Sequence, residues 1–137
     1  MDLLHKKCLP CEGGTKPLDE EAARKYLALA PGWMLEQGSV KMARELAFQD
    51  FKNAIAFINE LAALAETEGH HPDINLFSWN HLKITLWTHA IGGLSENDFI
   101  IAVKANALLP NSIRSAPPLI PEHSLAKLSH YAQTHIL

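Results

Sequence analysis

One apolar stripe is more regular than any other in the chain. After Asp50, residues Phe51, Ala54, Ile55, Ile58, Leu61, Ala62 and Ala65 recur at helical spacing and predict an amphipathic helix. Asp50 is placed as its N-cap. Gly69 is placed as its left-handed stop. Pro72 forbids continuation and pushes His71 toward an extended backbone. An earlier helix opens at Leu18-Asp19-Glu20-Glu21, with Asp19 as the cap and Leu18 as the staple residue. It runs to about Leu29 and stops before Pro31-Gly32. A last helix opens at the capping box Ser95-Glu96-Asn97-Asp98, with Phe99, Ile100, Val103 and Ala107 expected to face inward.

Between the helices the period shortens to alternation. Trp33-Met34-Leu35 reads as a short strand and Gln37-Gly38 as a turn. From Val40 to Phe48, Met42, Arg44, Leu46 and Phe48 share one face, and Lys41, Ala43, Glu45 and Ala47 the other. The alanines would also allow a helix there. Asp73 to Trp79 and His81 to His89 predict a hairpin joined near Asn80. Leu82, Ile84 and Leu86 form its core face. His81, Lys83, Thr85, Trp87 and His89 form the other, which puts His89 at the end of a strand.

The element order is therefore αββαββα. Two hairpins separated by a helix give an α+β fold: a four-stranded antiparallel sheet with helices packed on one face. That domain is expected over residues 18–109. Residues 1–17 read as a leader. Residues 110–137 read as a proline-rich linker (Pro110, Pro117, Pro118, Pro121) and a short helical tail (Leu125, Leu128, Tyr131, Ala132) that docks or stays mobile.

Composition narrows the function classes. The 137 residues suit one domain with a real core. A formal net charge of −3 provides no basic field for nucleic acid. No apolar run reaches membrane-spanning length, and the first ten residues hold no signal-like apolar stretch. The expected address is the cytoplasm. Cys8 and Cys11 form a C-x-x-C pair, yet no second pair completes a zinc site and no strand precedes it as in a redox motif. A loose leader with reduced thiols is the simpler expectation.

The chemistry gathers at Glu66-Thr67-Glu68-Gly69-His70-His71-Pro72. A helix ends at a histidine pair, and the following strands return a third histidine, His89. Histidine gives and takes protons near neutrality because its unperturbed pKa is about 6.5. Successive extended residues point opposite ways, so His70 and His71 are expected to have different roles. Simpler explanations compete at each position. The histidines could hydrogen-bond locally at a helix end, and Glu66 could be solvated. Asp98 is explained by the capping box, and Trp87 by packing.

The ordered set Glu66-x3-His70-His71-Pro72, Leu86-Trp87-Thr88-His89 and Gly93-Leu94-Ser95-Glu96-Asn97-Asp98 resembles the pterin-4a-carbinolamine dehydratase family. The leader Cys8-Leu9-Pro10-Cys11-Glu12-Gly13-Gly14 and the corner Pro31-Gly32-Trp33 resemble its bacterial members. The resemblance covers about residues 8–107. It departs in a stretch from His71 to His89 one residue longer than in many relatives, and in the tail. It implies dehydration of a 4a-hydroxytetrahydropterin to the quinonoid dihydropterin, recycling the cofactor of aromatic amino-acid hydroxylases without a metal or organic cofactor. His70, His71, His89 and Glu66 are implied as catalytic residues. His71, Asp98 and Trp87 are the expected substrate contacts. It also points to a homodimer or tetramer built partly through sheet edges. Two other classes compete: a binding or coactivator module, as for animal relatives, and a metal-dependent hydrolase using the three histidines. The second is the poorer, because adjacent histidines on an extended backbone point apart.

Overall fold

The computed structural model describes residues 2–10, 14–110 and 113. Its regular elements are α1 (Glu20–Leu27), β1 (Met34–Glu36), β2 (Lys41–Ala47), α2 (Phe51–Glu68), β3 (Asp73–Phe77), β4 (His81–Leu86) and α3 (Glu96–Leu108). Asp19 caps α1 by accepting from Ala22 N–H at 2.8 Å, and Asp50 caps α2 by accepting from Asn53 N–H at 2.7 Å. All strand pairs are antiparallel, in the order β1-β2-β4-β3. This is the α+β two-layer fold expected from the order of elements.

Alternation decides which side of the sheet is buried. Met42, Arg44 and Leu46 of β2 and Leu82, Ile84 and Leu86 of β4 all point into the core beneath the helices. The alanines of β2 do not make it helical, because six of its residues are paired with β4. The hairpin after β3 turns through Ser78, Trp79 and Asn80. Ser78 and Trp79 have φ of 48° and 57°, so two non-glycine residues sit in the left-handed region. Reciprocal bonds hold the turn: Phe48 N–H donates to Asn80 O at 2.9 Å, and Asn80 Nδ2 donates to Phe48 O at 2.8 Å.

The helices bury part of the expected stripes, Ala54, Leu61 and Ala65 on α2 and Phe99 and Ile100 on α3, and add residues that were not expected. On α2 the buried residues are Ala54, Phe57, Leu61 and Ala65, whereas Phe51, Ile55 and Ala62 are exposed. The helix packs on both the sheet and α3, which rotates its buried stripe toward Phe57. On α3, Ala107 is exposed, while Ile101, Ala102 and Ala105 are buried with Phe99 and Ile100. That helix is covered on two sides. The sheet lies under it, and Tyr26 of α1 stacks on Phe99 with ring centroids 5.1 Å apart.

The leader is not loose over residues 2–10. Leu3 and Cys8 are buried, and Lys6 Nζ donates to Glu96 Oε1 at 2.8 Å. Cys11 lies outside the described residues, as do residues 111–137 apart from Ile113. Ile113 packs against the core, and its carbonyl accepts from Arg44 Nη2 at 3.0 Å. The Arg44 guanidinium is buried and also donates to Asn106 Oδ1 at 2.6 Å and Pro31 O at 3.1 Å. Gly32 is required beside it. Its φ is +90°, and a Cβ there would lie 2.4 Å from the guanidinium carbon.

Candidate active site

Helix α2 ends where the sequence places its stop. Gly69 adopts φ 68° and donates its N–H to Ala65 O at 2.9 Å. The chain then leaves in extended form through His70 and His71 into β3. The two imidazoles part, and each meets a different carboxylate.

His70 turns inward. Its Nε2 lies 2.7 Å from Asp98 Oδ1. Asp98 is fully buried, and its second oxygen is also committed: Oδ2 accepts from Thr88 Oγ1 at 2.8 Å and from Ser95 N–H at 3.0 Å. The Ser95 bond is half of the capping box of α3. One carboxylate thus serves as helix cap and histidine partner at once. Buried and acceptor-only when ionised, Asp98 calls for a proton on His70 Nε2. Among the described residues, His70 Nδ1 has no hydrogen-bond partner.

His71 turns outward. Its Nε2 lies 2.5 Å from Glu66 Oε2, one turn back on α2, and both side chains are exposed. His89 is not on a strand: β4 ends at Leu86, and His89 opens a 3-10 turn, His89–Ile91, closed by Gly92. The Thr88–Gly93 bridge pinches the base of that turn. His89 stays near the sheet face expected for it, because its ring lies on Trp87 with centroids 4.0 Å apart. Lys41 Nζ sits 4.6 Å from the Trp87 ring centroid, a cation–π contact. Trp87 Nε1 is buried with no hydrogen-bond partner among the described residues.

His70, His71, Trp87 and His89 line one cavity of about 750 Å³. Glu66 and Asp98 are not among its lining residues; each reaches it through a histidine. Asp98, expected as a direct substrate contact, stands behind His70 instead. Sequence reasoning missed Thr88 and Ser95, which complete the Asp98 environment, and the leader residues Lys7 to Pro10, which also line the cavity. Thr88 lay beside His89 in sequence, and Ser95 was visible only as a cap. Among the described residues, no group of three or more His, Cys, Asp or Glu side chains is gathered as a metal site. No helix among them is long and apolar enough to cross a membrane.

In the cavity wall, the Cys8 thiol is pushed up to about 12, first by burial and then by the Glu68 carboxylate. Glu68 itself is held below its ordinary value. Burial opposes this, but hydrogen bonds from Cys8 N–H and from Lys104 outweigh it.

Fold and site together define a two-layer α+β protein with two histidine–carboxylate pairs at one cavity. The chain belongs to the pterin 4 alpha carbinolamine dehydratase family, whose profile matches residues 16–108. A protein of Azoarcus sp. strain BH72, provisionally named as such a dehydratase, is 43% identical over 115 residues, covering 84% of this chain and 97% of that one. Pterin-4-alpha-carbinolamine dehydratase 2, mitochondrial, of Arabidopsis thaliana is 44% identical over 110 residues, 78% of this chain and 59% of its own length. Among solved structures, the transcriptional coactivator/pterin dehydratase of Brucella melitensis superposes with a TM-score of 0.64. It is 32% identical, and the match covers 68% of this chain and 98% of that one.

Proposed function

We propose that this cavity carries out the reaction for which the family is named, loss of water from a pterin-4a-carbinolamine, with His70 at its centre. The carbon–oxygen bond at C4a breaks, and the oxygen leaves as water after taking a proton from an acid. A base removes a ring N–H proton, and the freed pair forms the carbon–nitrogen double bond of the quinonoid dihydropterin. The enzyme is a hydro-lyase that returns the cofactor of aromatic amino-acid hydroxylases to the pool that is reduced again.

The observation that carries this reading is the buried Asp98 behind His70, in the cavity shared with His71 and His89. A carboxylate fixed by Thr88 and Ser95 holds the imidazole in one orientation. His70 and His89 form the proton-transfer pair. His71, braced by Glu66, orients the pterin, and Trp87 offers its ring face. The reaction needs one acid and one base, each contributing about 10²–10⁴ in rate.

The protein works in the cytoplasm as a homodimer or tetramer. Strands β1 and β3 are the edges of the sheet, and Ile74, Phe77 and Trp79 on and beside β3 are exposed. The test is a dehydration assay on a synthetic 4a-hydroxytetrahydropterin with and without chelator. Catalysis that survives chelation is the expected result. No acceleration over buffer would overturn the activity, and strict dependence on restored zinc would overturn the histidine mechanism. Light scattering reads the assembly, and a monomer mass at every concentration would overturn it.

A further inference from the structure

The cavity has a wall that the family profile leaves out. The profile begins at residue 16, yet Lys7, Cys8, Leu9 and Pro10 line the same space as His70 and His89. This segment is pinned by side chains far away in sequence. Leu9 N–H donates to Asn97 Oδ1 at 3.0 Å, and Asn97 Nδ2 donates back to Leu9 O. One residue earlier, Cys8 N–H donates to Glu68 Oε1 at 2.9 Å, and Lys104 Nζ fixes the other Glu68 oxygen at 2.6 Å. Lys7 Nζ reaches Thr67 O at 3.2 Å. Asn97 is buried, and so is most of Glu68, so these bonds are shielded from competing water.

The side chain held by this clamp is largely open to solvent. Leu9 is 70% exposed, between a buried Cys8 and the cavity. An exposed leucine alone means little. A leucine whose backbone is gripped on both edges, at the mouth of a cavity lined by Trp87 and His89, is an apolar surface kept ready for something to cover it. A flat heteroaromatic ring entering the cavity would remove apolar area from water on both partners.

We propose that Leu9 is a substrate-contact residue that covers one face of the bound pterin ring, and that residues 7–10 form a fixed wall set by Asn97. This rests on the pterin reading above. The wall acts on binding, whereas proton transfer stays with the histidines.

The experiment uses the full chain and three variants: Leu9→Ser, Asn97→Ala and the two combined. Affinity for a tetrahydropterin that lacks the 4a-hydroxyl, and so cannot react, is read by calorimetry. KM and kcat are read on the carbinolamine. Leu9→Ser should raise both Kd and KM about tenfold, the scale of apolar-contact discrimination in a pocket, with kcat within about twofold. Because Leu9 is exposed, its thermal midpoint should match wild type. Asn97→Ala should raise KM similarly, and the double variant should be no worse than the larger single, because both break one contact. Wild-type Kd and KM in Leu9→Ser would overturn the proposal, as would additive losses in the double variant. If the wild-type protein itself does not bind the unreactive pterin, the pterin reading fails, and this one with it. That outcome appears in the wild type rather than in the variants.

Discussion

Two neighbouring histidines each meet a carboxylate, and the two pairs differ in almost everything else. His70 and Asp98 have side chains 13% and 0% exposed; His71 and Glu66 are 61% and 76% exposed. Both contacts are short, so distance alone does not separate them. Burial does. A charge-assisted bond shielded from water is strong, and leaving one of its members alone is costly. An ion pair in open solvent contributes about 0–1 kcal/mol and is screened by salt. The extended backbone between Gly69 and β3 makes the difference, because it turns successive side chains to opposite sides.

The largest effect expected from this contrast is at His70. His70→Ala should lower turnover about 10²-fold or more, with a modest change in thermal midpoint. Wild-type turnover in a folded variant would remove His70 from the chemistry. Asp98→Asn comes next. Loss of a charge-assisted bond, roughly 1.5–3 kcal/mol, should slow turnover about 10- to 100-fold. It should also lower the denaturant midpoint, because the same carboxylate caps α3. Unchanged turnover with lowered stability would make Asp98 a cap alone.

A third expectation concerns acid. Glu68 is held below its ordinary carboxylate range when folded. A depressed folded value means that its stabilising contribution is complete above the unfolded value of about 4.5. The contribution is lost as pH falls through the folded value. Protease cleavage within residues 2–10 should therefore rise below about pH 4.5, and Glu68→Gln should blunt that pH step. A cleavage rate flat from neutrality to pH 3 would contradict it. The smallest effect is at Glu66. Glu66→Gln should change stability by about 0.5 kcal/mol or less and turnover by less than about threefold. A loss as large as that of His70→Ala would move the chemistry to His71.

Much of the framework was legible in the sequence because local rules set it. Alternation in β2 and β4, the stop at Gly69 and the caps at Asp19, Asp50 and Ser95 are all read over a few residues. The stripe of α2 was right at Ala54, Leu61 and Ala65 but missed Phe57, because packing against α3, a distant element, turns the helix toward that side. The histidines were legible as a set and Glu66 with them, but the bond between His70 and Asp98 was not. Asp98 has a complete local explanation as a cap, which hides its second bond to His70. The leader was misjudged for a similar reason: Glu68 and Asn97, which pin it, lie far along the chain. His89 was placed on a strand because alternation continues through Trp87, whereas the Thr88–Gly93 bridge ends the ladder and starts a turn.

The strand order has a consequence for how the molecule comes together. β1 with β2 and β3 with β4 are hairpins over short loops, and such units close in about 1–10 μs. The seam between β2 and β4 joins them across the whole of α2. Pairing over that span must first overcome a larger loop entropy, so it belongs to the slow step. His70 and Asp98 lie on either side of the second hairpin, which places their contact in the C-terminal half of the molecule. We therefore expect an order of events in refolding: hairpin amides are protected first, and the seam amides between Arg44 and Ala47, which pair with β4 and not with β1, later. Pulsed hydrogen exchange that finds the seam protected as early as the hairpins would contradict that order.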